Sequence, residues 1–141
     1  NLADEEKDRD NMNKFLKYYT VFKNAPVLVL FYAKPYKSIE YKILNDKPEC
    51  KDLYDIAISS KSEIQTIGAA IENFLLAAAN MGYGACYMTG PIHSKDKIYE
   101  VIGHDDSEGE LMALVPVGVP EDKSAPQPNR FPLEDVVTFI D

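Results

Sequence analysis

The 141 residues amount to one domain, able to bury about 68% of the surface its unfolded chain exposes. The 15 Lys and Arg against 23 Asp and Glu leave a formal net charge of −8, a sign that repels phosphate backbones and excludes nucleic acid as a partner. An apolar content of 45% excludes wholesale disorder, and no apolar run reaches the length of a membrane span. No leader pattern opens the chain, and Cys50 and Cys86 are too few for a disulfide framework and lack zinc spacing, so a cytoplasmic, reducing setting is expected, with no metal site.

Residues 3 to 23 predict a helix, with Met12, Phe15, Leu16, Tyr19 and Phe22 at three- and four-residue steps. Acidic residues between Asp4 and Asp10 suit its N-terminal dipole, and Asn24-Ala25-Pro26 stops it, because a residue before proline is pushed out of the helical region. Val27 to Tyr32 is uniformly apolar and predicts a strand covered on both faces. Residues 34 to 60, with Pro35 and Pro48, predict a long connection holding one short helical or extended piece, of the kind that serves as a lid or binding loop.

The strongest helix runs from about Glu63 to Met81. Ser62-Glu63-Ile64-Gln65 fits a capping box, and Ile64, Ile67, Ile71, Phe74, Leu75, Ala78 and Met81 form its stripe. Alanines and Leu76 fill the other faces, which predicts burial nearly all round, part of it against a second subunit. Gly82 or Gly84 supplies the left-handed stop.

Ala85 to Met88 predicts a short strand, Thr89-Gly90-Pro91 a turn, and Ser94 the cap of a short helix closed by Gly103. Leu111 to Val119 predicts a strand in which Pro116, having no N–H, belongs at an edge or bulge. From Pro120 the prolines predict an extended arm whose Val136, Val137, Phe139 and Ile140 need a surface to pack on.

Chemistry-bearing motifs are few. Gly82-Tyr83-Gly84 follows a helix and has Tyr87 where a dinucleotide fingerprint needs Gly or Ala, so it marks a helix stop. There is no phosphate-binding P-loop and no nucleophile elbow. His93 and His104 are expected on the surface or in loops, and Glu72 and Asn73 are polar positions of structural or interface use on an apolar helix. Asp105-Asp106 reads as solvated charge. With no nucleophile, triad or metal box, any catalysis must be carried by a cofactor.

The stretch Ile67-Gly68-Ala69-Ala70-Ile71-Glu72-Asn73-Phe74-Leu75-Leu76-Ala77-Ala78-Ala79 resembles the central helix of the FMN-dependent nitroreductase family. The resemblance continues through Met81 to Pro91, and flanking segments agree: Lys23-Asn24-Ala25-Pro26 before a hydrophobic strand, Leu111 to Pro120, and Arg130-Phe131-Pro132-Leu133-Glu134-Asp135-Val136-Val137. It implies a single α+β domain spanning residues 1–141. The expected fold is an antiparallel-rich sheet flanked by helices, with a long central helix at a homodimer interface and an extended C-terminal arm. It also implies hydride transfer from NADH or NADPH to FMN, and then, by ping-pong kinetics, to a nitroaromatic or quinone-like acceptor.

In that pattern Thr89 and Gly90 match the loop against the flavin ring, and Arg130 matches the late basic residue that holds the FMN phosphate. The family's early Arg-Ser-x-Arg-like and Pro-Ser-x-x-Asn-x-Gln-Pro-Trp-like segments have no counterpart, and there is no tryptophan. A chain beginning partway through the domain is therefore expected, one that binds FMN poorly or not at all because Arg130 is its single phosphate partner. The alternative is a non-catalytic dimerising module of the same fold.

Overall fold

The computed structural model describes residues 6–105, 107, 109–121 and 129–140. Helix α1 spans Glu6–Tyr19. Thr20 ends it, its hydroxyl donating back to the Leu16 carbonyl at 2.7 Å, and a 3-10 turn at Val21–Asn24 leads to Pro26. Much of the expected apolar stripe lies open: Met12, Phe15 and Leu16 are exposed, and only Tyr19 and Phe22 are half-buried. Residues 3–5 of the expected helix lie outside the described residues.

Three strands form one antiparallel sheet in the order β1-β3-β2: β1 is Val27–Ala33, β2 is Gly84–Ala85 and β3 is Glu110–Gly118. The apolar segments pair through register, Val29 with Val115 and Leu30 with Leu114. A bulge shifts the pairing between Phe31 and Tyr32, which face Ala113 and Leu111 and leave Met112 as the extra residue.

Pro116 stands in the central strand and away from that bulge, contrary to the expected edge or bulge position. Leu114 exchanges both backbone bonds with Met88 at 2.9 Å, so its N–H, and the nitrogen two residues on at Pro116, point toward the β2 side. There the ladder lapses between Ala85 and Met88, and no donor is missed.

Residues 34–60 are more regular than the sequence suggests. They hold α2 (Ile39–Leu44), a 3-10 turn at Pro48–Cys50, and α3 (Lys51–Ser59). Ser38 caps α2 by accepting the Tyr41 N–H at 3.0 Å.

Helix α4 spans Ser62–Asn80. The expected capping box does not form: Lys61 is the cap, in a left-handed conformation (φ 47°), and Gln65 reaches back to donate to the Ser60 carbonyl at 2.6 Å. One face of α4 (Ile67, Ile71, Phe74, Leu75) covers Val29, Phe31, Ala113, Val115 and Val117 of the sheet, with Ile71, Ala113 and Val115 fully buried. Burying a side chain of the size of Ile71 contributes about 1.5–3 kcal/mol.

The helix is not buried all round. Thr66, Ala69, Asn73, Leu76 and Asn80 form an exposed stripe on its outer side, with Leu76 59% exposed, and Glu72 is also exposed. Gly82, at φ 82°, is the stop, and Tyr83 N–H donates to the Ala78 carbonyl at 2.9 Å.

A 3-10 turn at Gly90–Ser94 feeds α5, Lys95–Ile102. Ser94 precedes α5 without a side-chain cap, unlike the expectation, whereas Gly103 closes it at φ 68° as expected. α6 (Leu133–Val136) is a single turn in a C-terminal segment where residues 129–140 are all exposed. The arm's Pro126 and Pro128, like Asp106 of the expected acidic pair, lie outside the described residues.

Candidate functional site

The segment between β2 and α5 is fixed from the sheet outward. Met88 is 8% exposed and locked to Leu114 by two backbone bonds, and Pro91 is buried. Between these anchors Thr89 is exposed and Gly90 half-buried. The Thr89 carbonyl accepts the Ile92 N–H at 3.0 Å, which tightens the turn. The Thr89 and Gly90 amides themselves donate to no described acceptor.

A methyl group at Gly90 would collide with the Tyr19 ring of α1, so only glycine permits this approach. Tyr19 in turn stacks on Phe15 (centroids 6.2 Å) and meets His93 edge-on (6.5 Å, 83°).

Gly90 also lines a cleft of about 560 Å³ on the sheet face opposite α4. Leu28, Leu30 and Leu114 form its floor and Ile98, Val101 and Ile102 of α5 one wall. β1 is thus covered on one face and open to this cleft on the other, where the sequence suggested cover on both. The lining is almost wholly apolar, with Ser94, His93 and Lys97 at its edge and no carboxylate or thiol. Its titratable groups, Tyr19, His93 and Lys97, stand among apolar neighbours with no carboxylate beside them in the lining.

Arg130 is exposed in the C-terminal segment, forms no ion pair among the described residues and does not line the cleft. The sequence-predicted Thr89 and Gly90 stand together in one turn, and Arg130 lies exposed in the C-terminal segment.

The two histidines differ. His93 is exposed beside Tyr19. His104 is half-buried, stacked on Tyr32 (4.2 Å, 16°) and against Tyr99 (4.6 Å), with Nε2 3.0 Å from the Gly109 carbonyl. It is a loop histidine, as expected, and its ring pins the loop to Tyr32 and Tyr99. Tyr99 completes that pin by accepting the Leu111 N–H at 2.7 Å.

Nearby, the Lys95 ammonium donates to the Glu110 carboxylate at 2.6 Å, and that hydrogen bond holds the ammonium pKa above its ordinary value. The Ser107 N–H bonded to Asp105 at 2.8 Å holds that carboxyl below the usual range.

Residues 2–119 match the model of the Nitroreductase family. The chain belongs to the nitroreductase family. Its fold also matches the crystal structure of a BluB-like flavoprotein from Clostridium difficile 630, with 34% identity, 94% of this chain covered and a TM-score of 0.76. The chain spans 64% of that flavoprotein's length. A search of curated proteins gives no match.

Two neighbouring amides without described acceptors, in a turn anchored on both sides, have the donor chemistry that a flavin ring edge accepts, and the Arg130 guanidinium has that of a phosphate partner. Tyr19 was legible in the sequence only as part of an apolar stripe. No pattern in the chain marks the closeness of its ring to Gly90, because the two are 71 positions apart and meet only through packing. Among the described residues no helix is long and apolar enough to cross a membrane.

Proposed function

We propose that the protein is an FMN-dependent oxidoreductase that takes hydride from NADH or NADPH and delivers it to a nitroaromatic or quinone-like acceptor. The observation that carries this reading is the 34% identity, over 94% of the chain, to a flavoprotein of the same fold. The inventory of the chain agrees, because a flavin supplies the hydride-transfer chemistry when bound and asks the protein for no nucleophile.

The residues then have defined tasks. Thr89 and Gly90 offer backbone N–H donors to negative charge on the reduced ring, a fixed arrangement that needs no reorganisation during the reaction. Arg130 offers a guanidinium to the phosphate, where bidentate geometry favours arginine. The unpaired thiols of Cys50 and Cys86 suit a reducing, cytoplasmic compartment.

We also propose a homodimer formed through the outer stripe of α4. Ala69 there allows close approach, and Leu76 stands 59% exposed at the middle of that face. The arm beyond Pro120 packs on the partner in this reading. Phe131, Phe139 and Ile140 are 80%, 85% and 92% exposed on their own chain.

That the exposed Arg130 is the one cation assigned to the phosphate favours one second reading, a dimerising module that has lost its flavin. Titration with FMN, followed by addition of NADH or NADPH and a quinone, separates the two. Nucleotide oxidation that depends on protein, flavin and quinone together supports the oxidoreductase. A dimer that takes up no flavin supports the module.

A further inference from the structure

We infer that Tyr19 is the positioning residue of the Thr89-Gly90 turn, holding its two free amides in place for the flavin; the inference rests on the flavin reading above. The turn is held by Met88 on the sheet, by the buried Pro91 and, from outside, by one further side chain. Toward the sheet, Met88 is fixed by its paired bonds to Leu114, and Pro91 is buried. From the other side, the Tyr19 ring occupies the space into which a Cβ at Gly90 would project. No backbone bond holds the Gly90 amide to a described residue, so the ring is what limits its movement toward the cleft.

Tyr19 can serve this way because it is itself held. Phe15 stacks on it one helical turn earlier, and His93, three residues beyond Gly90, packs edge-on against it. The Tyr19 hydroxyl meets no described hydrogen-bond partner, so the aromatic ring and not the phenol does the positioning. Amides aimed at developing charge act through being fixed beforehand, and a turn free to move loses that advantage even when its sequence is unchanged.

The test uses Tyr19→Ala, Tyr19→Phe, Gly90→Ala and the double variant Tyr19→Ala/Gly90→Ala in the full chain. Hydrogen exchange of the Met88 and Ile92 amides, the bonded donors of the turn, measured without flavin, should rise about tenfold in Tyr19→Ala, stay native in Tyr19→Phe, and leave the α4–β3 core protected. Gly90→Ala should lower stability in the native background and much less in the Tyr19→Ala background, since the clash is then gone. FMN affinity should fall in Tyr19→Ala and return in Tyr19→Phe.

Native exchange in Tyr19→Ala, or a Gly90→Ala effect independent of Tyr19, overturns the inference. Looser exchange with FMN affinity equal in all variants removes the flavin from this turn and leaves the Tyr19–Gly90 contact standing. A chain that binds no FMN in any form counts against the flavin reading alone, because the exchange and double-variant results still decide the contact.

Discussion

Two alanine substitutions on α4, one on each face, test the division between core and interface. Ile71 is fully buried against Ala113 and Val115, so Ile71→Ala removes buried methylenes and leaves a hole that a packed sheet can only partly close. The expected cost is about 2–5 kcal/mol at any protein concentration. Leu76 is 59% exposed on the outer stripe. Within one chain Leu76→Ala can lose only part of a side chain's burial, about 1 kcal/mol or less. If the stripe is the dimer interface, Leu76 is buried by the partner, and the same substitution weakens association by about 2 kcal/mol, roughly a thirtyfold rise in dissociation constant.

Urea unfolding followed by circular dichroism at two protein concentrations, with sedimentation equilibrium alongside, reads both effects. The native chain should unfold at higher urea when more concentrated, and Leu76→Ala should reach the same midpoint only at higher concentration. A concentration-independent midpoint in the native chain, with Leu76→Ala indistinguishable from it, would refute the interface. An Ile71→Ala cost below about 1 kcal/mol would refute the packing described for the core.

Truncation after Pro120 should raise the dimer dissociation constant, and a dimer of unchanged strength in ultracentrifugation would show that the arm does not hold the partner. Gly82→Ala places a Cβ in open space but forces an L residue to φ 82°, so chemical denaturation should report a loss of about 1–2 kcal/mol from backbone strain alone. The Asp105 carboxyl, held down chiefly by the Ser107 N–H, should titrate below 3.8 in carboxyl-detected NMR. Its contribution is present above the unfolded-state value and fades as pH falls through the lower folded-state value, and Asp105→Asn should abolish that dependence at the Ser107 amide. A Ser107 amide shift insensitive to the substitution would dismiss the bond.

The parts of the fold written in local chemistry were legible in the sequence. The stripe Ile67-Ile71-Phe74-Leu75 gave α4 and the face it turns to the sheet, and Gly82 and Gly103 gave two helix ends through left-handed conformations that other residues resist. Resemblance in sequence was enough to identify the family.

What escaped depended on contacts between distant segments. Pro116 looks like an edge marker until Leu114 and Met88 show which side of the strand its missing N–H faces. The Ser62 capping box failed because Lys61 enters the helix from a left-handed conformation and Gln65 bonds to Ser60. Residues 34–60 hid two helices because their apolar positions are spread over segments of six and nine residues, too short for a clear period. In the candidate site, Thr89 and Gly90 came from resemblance, while the Tyr19 contact that explains why position 90 is glycine needed the packed molecule.

The most direct test of the flavin reading is anaerobic reduction of FMN mixed in excess with the purified chain, followed by the loss of the oxidised-flavin absorbance after addition of NADH or NADPH. With Arg130 as the one cation assigned to the phosphate, binding should be saturable but weaker than about micromolar. Bleaching should then exceed that of free FMN, scale with protein, and fall when Gly90 is replaced by alanine. Bleaching identical with and without the chain, for both nucleotides and at saturating FMN, would contradict the account.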